Sequence, residues 1–81
     1  MPIKESQVFH MDLMNVPLGQ EYIIAEIAAK DPELEAFLFT LGCFSGEPIT
    51  VVSRRRSSCT VAIKDSRYSI DPQLARAITV A

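Results

Sequence analysis

A chain of 81 residues, 48% of them apolar and 22% charged, holds enough apolar surface for one hydrophobic core and too little for two, and its composition is that of a single globular domain rather than a disordered segment. The formal net charge of -2 speaks against affinity for nucleic acid built on phosphate neutralisation. No apolar run approaches the roughly 18 to 20 residues that cross a bilayer, and Met1 is not followed by a basic stretch and an apolar secretory segment, so the expectation is a soluble, cytoplasmic chain without membrane insertion.

In chain order, residues 1–11 show mixed polarity and no clear period and are read as an N-terminal arm, with the domain proper at 12–81. Pro17, Gly19 and Gln20 mark a turn, after which Tyr22 to Ile27 is rich in β-branched and aromatic residues and is predicted to be a strand. "DPELEAFLFTLG" follows and predicts a helix over about 32–41. Asp31 caps its free amides, Pro32 needs no amide partner at the first position, and Glu33 and Glu35 favour the positive end of the helix dipole. Leu34, Phe37, Leu38 and Leu41 recur at helical spacing as one apolar stripe expected to face the core, and Gly42 suits the left-handed position that ends a helix.

Beyond the helix, "PITVVSRR" and "CTVAIK" read as consecutive strands joined through "RRSS", and "RYSID" follows a short turn at Asp65 and Ser66. Pro72 to Arg76 offers one helical turn, and Ile78 to Val80 a last strand. Short strands at close spacing with one short helix predict a small barrel.

Between helix and second strand lies "GCFSGEP". Gly42 and Gly46 can both take positive φ, which lets the chain reverse with its apolar faces aligned. The order of Leu41, Gly42, Cys43, Gly46, Ile49 and Val51 resembles the Leu-Gly-apolar-x-x-Gly turn and following Ile-x-Val of the FeoA family, small cytosolic proteins of bacterial ferrous iron transport. Leu13, Val16 and Gly19 before the first strand match the same pattern, as do Val61, Ile63, Tyr68, Ile70, Ala75, Ile78 and Val80 after it. The resemblance implies a mainly β fold, a five-stranded SH3-like barrel with the helix and turn lying across one end. It also implies a non-enzymatic accessory role, docking on the cytosolic part of the membrane transporter FeoB and modulating it. The sequence departs from the family in its acidic and aromatic helix, its "SRRRSS" hairpin loop and its additional N-terminal residues.

The residues themselves show no nucleophile with a base, no paired carboxylates in a pocket and no phosphate-cradling loop, so no catalytic residue is assigned. His10 and Asp12 are weak candidates for a metal. They are two positions apart on an extended segment, and two ligands do not make a site, so no cofactor is expected beyond a transient transition-metal ion. Cys43 and Cys59 lack C-x-x-C spacing and read as reduced, packed thiols. Arg54, Arg55 and Arg56 form a like-charge run, either a solvated hairpin tip or a patch that docks on an acidic surface or on lipid headgroups at the inner face of the membrane. Phe39, at about 100° per residue, falls opposite the apolar stripe, and Phe44 follows in the turn. The two rings are read as an anchor pair for a protein partner, with the alternative that the N-terminal arm folds over them.

Two other functions fit the same residues. One is a free-standing peptide- or metal-binding module related to the C-terminal SH3-like domain of DtxR-type regulators. The other is a direct transition-metal carrier. The sequence leaves room for a homo-oligomer.

Overall fold

The computed structural model describes residues 11–28 and 30–81. Among these, six strands and two short helices follow one another: β1 (Met11–Asp12), β2 (Glu21–Ile27), α1 (Pro32–Thr40), β3 (Pro48–Arg54), β4 (Cys59–Ile63), β5 (Ser66–Ile70), α2 (Pro72–Ala77) and β6 (Ile78–Val80). The strands form one antiparallel sheet in the order β1-β6-β2-β3-β4-β5. The fold is mainly β and SH3-like, with one strand more than the expected five. The extra strand is the two-residue β1, where Met11 pairs with Val80 and Asp12 with Thr79.

Strand β2 joins the two halves of the sheet. Its first residues, Glu21 to Ile23, pair with β3, and from Ile24 onward it pairs with β6, with a bulge between Ile24 and Glu26. A bulge bends a strand and increases its twist, so one strand serves both halves. Strands β3 and β4 then alternate as a half-buried sheet must. Ile49, Val51, Cys59, Val61 and Ile63 point into the core, where Ile24, Ile70, Ile78 and Val80 meet them. Leu13 and Val16 close the core on one side, and Leu74 and Ala75 of α2 add to it.

Both helices begin on the same dipeptide for the same physical reason. The carboxylates of Asp31 and Asp71 accept the amides of Glu33 (2.9 Å) and Leu74 (2.8 Å), and a proline fills the first helical position after each. The end of α1 is equally well specified. Gly42 N–H donates to the Phe39 carbonyl at 3.0 Å and Cys43 N–H to the Leu38 carbonyl at 2.9 Å, with Gly42 at φ +92°. This paired pattern is the Schellman motif. Its customary apolar contact falls to Leu38 and Cys43, both buried.

Two expectations need correction. The apolar stripe of α1 is narrower than its spacing suggested: Leu38 is buried and Leu34 and Leu41 are partly buried, whereas Phe37 is 47% exposed. The helix touches the core along the line Leu34, Leu38, Leu41, and Phe37, about 100° from Leu38, hangs on its flank. The turn between β4 and β5 is Lys64–Asp65, one residue earlier than expected, with Lys64 at φ +56° and Ser66 already paired with Ile63. Arg54 ends strand β3 opposite Cys59, inside the run "PITVVSRR" that was expected to be a strand.

Candidate functional site

The end of β2, helix α1 and the turn after it enclose an open groove of about 630 Å³. Ala25 and Ile27 of β2, Ala36 of α1 and Cys43 of the turn give it an apolar lining. Phe39 and Phe44 add an aromatic wall, their ring centroids 5.1 Å apart and their planes tilted by 38°. Glu26 and Glu35 also line it, and both are exposed.

The turn that presents Phe44 is held from both sides. Gly46 takes φ +95° and Glu47 N–H donates to the Phe44 carbonyl at 3.1 Å, the closed turn with positive φ at its third residue that glycine makes without strain. Gly46 N–H then donates to the Ile24 carbonyl at 2.8 Å, Ile24 N–H donates to Glu47 at 2.9 Å, and the Ser45 hydroxyl donates to the Ala25 carbonyl at 3.1 Å. The turn is thereby tied to β2, and Phe44 stands partly buried with Phe39, 63% exposed, leaning on it. On the hairpin side, Lys64 Nζ lies 6.0 Å from the Phe44 ring centre and 3.5 Å from the Glu47 carboxylate.

The arginine run divides. Arg54 is no free hairpin charge: its Nη1 donates to the carbonyls of Leu13 (2.9 Å) and Val16 (2.8 Å), fastening the loop after β1 to β3. A guanidinium offers several donors in a fixed fork, and this one closes two carbonyls that the irregular loop leaves without sheet partners. Arg55 and Arg56 are exposed beyond the strand, and neither lines the groove. Of the five residues assigned to partner contact, Phe39 and Phe44 lie together at the groove, Arg54 is bonded to the loop after β1, and Arg55 and Arg56 stand exposed after β3.

The metal candidates separate too. His10 lies outside the described residues. Asp12 turns one carboxylate oxygen inward on its own loop, accepting Met14 N–H at 2.8 Å and the Asn15 amide at 2.9 Å. Among the described residues no group of three or more His, Cys, Asp or Glu converges. Both cysteines are buried as free thiols. Burial pushes the Cys43 thiol up to about 11, and it raises Cys59 as well, against a smaller opposing pull from the Arg54 guanidinium.

Sequence reasoning missed the β2 side of the groove. Ala25 and Ile27 alternate with Ile24 along the strand, and the alternation hinted at a second apolar face, but only the folded sheet sets that face beside α1.

The FeoA domain model matches residues 11–81. No curated protein matches the chain. Among solved structures, a manganese-dependent transcriptional repressor superposes with a TM-score of 0.82 at 23% identity, over 89% of this chain and 41% of the repressor. An iron uptake regulatory protein, FeoA, gives 0.78 at 19% identity, covering 88% of this chain and 95% of its own. The FeoA protein from Chlorobium tepidum gives 0.78 at 22% identity, covering 86% and 68%. The chain thus spans less than half the length of the repressor whose fold it shares. Among the described residues no helix is long and apolar enough to cross a membrane.

Proposed function

Because this chain belongs to the FeoA domain family, we propose that it is a non-enzymatic accessory protein of ferrous iron transport, which docks on the cytosolic part of a FeoB-type membrane transporter and modulates it by contact. The observation that carries the reading is the groove beside α1, where an exposed Phe39 lies at a tilt against a Phe44 that two hydrogen-bonded glycine turns hold in place. Aromatic side chains already fixed in their bound positions lose little freedom on binding, and central aromatics commonly dominate interface energies. Helix α1 fits the same reading. Of its nine residues only Leu38 is fully buried, so among the described residues most of its surface stays uncovered.

Chemistry on this chain finds less support than contact. The Cys43 thiol, which lines the groove, is held protonated by burial, and a protonated thiol is neither a nucleophile nor a metal ligand. A second reading, a free-standing module that works with a metal-dependent regulator, draws on the superposition with the manganese-dependent repressor. Calorimetry separates them. The first reading expects the isolated protein to bind the cytosolic portion of the transporter and to take up no stoichiometric Fe(II), Mn(II) or Zn(II) tighter than about 10 μM, since metal-ligand residue types do not converge among the described residues. A tight one-to-one metal isotherm with no transporter binding would transfer the case to the second.

A further inference from the structure

The groove is apolar inside and acidic at its edge. Glu26 and Glu35 line it, and among the described residues no lysine or arginine does. Both carboxylates are exposed and neither takes part in an ion pair among the described residues, where the one salt bridge joins Lys64 to Glu47. Helix α1 adds to this field, with Glu33 and Glu35 in its first turn and no basic residue in its last. The aromatic wall has the matching character, since a ring face attracts a guanidinium or ammonium group. Phe44 already has Lys64 within 6.0 Å of its ring centre, on a lysine that Glu47 draws away at 3.5 Å. Phe39 is the more exposed ring, at 63%, and shares the groove with the two unpaired carboxylates.

We propose that the groove takes a short segment of the partner chain that combines apolar side chains with an arginine or lysine. The apolar residues enter over Ala25, Ile27 and Ala36, and the cation sits against Phe39 within reach of Glu26 and Glu35. This rests on the docking reading and specifies its ligand: the chemistry recognised is an apolar and basic peptide, and an acidic segment is repelled. Charge of this kind sets partner choice and association rate, while the rings supply the holding energy.

The test uses the full chain, isotopically labelled, and two short peptides with the same leucine and phenylalanine pattern, one carrying arginines and the other glutamates at the polar positions. The arginine peptide is expected to shift the amide resonances of Ala25, Ala36, Phe39 and Phe44, the glutamate peptide to leave them in place, and Glu26→Gln with Glu35→Gln to weaken the arginine peptide by about tenfold. Equal shifts with both peptides, shifts with neither, or unchanged affinity in the double glutamine variant overturn the proposal. A parallel isotherm with the cytosolic portion of the transporter keeps the two claims apart. If Phe39→Ser abolishes that binding and the glutamine variant retains it in full, docking at the groove stands and the basic ligand is wrong; if both variants bind as the parent does, both claims fall.

Discussion

Replacing Arg54 by alanine removes two hydrogen bonds at once, to the carbonyls of Leu13 and Val16 at 2.9 and 2.8 Å. The side chains of those two residues are buried at 0% and 1% exposure, so the loop cannot swing out to water without withdrawing them from the core. A hydrogen bond to a charged group contributes about 1.5 to 3 kcal/mol. The carbonyls are only partly buried, and water recovers some of this, which leaves a loss of about 2 to 3 kcal/mol. For a domain of this size that lowers Tm by about 10 to 20 °C. Arg55→Ala and Arg56→Ala, at exposed positions, are expected to stay within about 0.5 kcal/mol of the parent. Urea and thermal unfolding of the three single variants checks the ranking. Three equal melting curves would refute the reasoning and return Arg54 to the solvated run.

Further outcomes follow from the same geometry. Gly46→Ala meets only the backbone penalty of φ +95°, because a Cβ there has no neighbour within 4 Å, whereas Gly42→Ala at φ +92° also brings its Cβ to 3.3 Å from Ile63 Cγ2. Unfolding midpoints should place Gly46→Ala about 1 kcal/mol below the parent and Gly42→Ala lower still, and the reverse order would contradict the assigned packing. The Cys43 thiol, raised from 9.0 to about 11 by burial, gives a folded state that holds its proton longer than the unfolded state does. That contribution is fully present below pH 9 and is lost as pH rises through 11, so stability should fall by about 2 to 3 kcal/mol across that interval. Cys43→Ala should flatten the fall, measured by urea titration at stepped pH.

How far the fold could be read from the sequence depends on whether a signal was local. Asp31 with Pro32, and Asp71 with Pro72, mark both helix starts because capping is chemistry between near neighbours. Strands β3 and β4 were legible from their alternation, and the terminating Gly42 from the apolar run it closes. Phe37 was misplaced because spacing says which residues share a helix face but not how wide a strip the sheet will touch. The role of Arg54 was invisible for another reason: its partners Leu13 and Val16 are 41 and 38 residues away, and a run of three arginines carries no mark to distinguish its first. The turn at Lys64 and Asp65 slipped by one residue because neither position holds the glycine that usually signals positive φ. Of the candidate site, the aromatic pair was on the page as helix phase and turn position, while the carboxylates and the β2 face needed the fold to assemble them.

The docking claim is tested most directly by an isotherm of Phe39→Ser against the cytosolic portion of the FeoB-type transporter, taken beside a melting curve of the same variant. Phe39 is 63% exposed, so its replacement is expected to leave Tm nearly unchanged. Binding is expected to weaken by about 2 kcal/mol, roughly a thirtyfold rise in Kd, as the loss of a central aromatic anchor does. An unchanged Kd with an unchanged Tm would contradict the account and place the contact on another face of the domain.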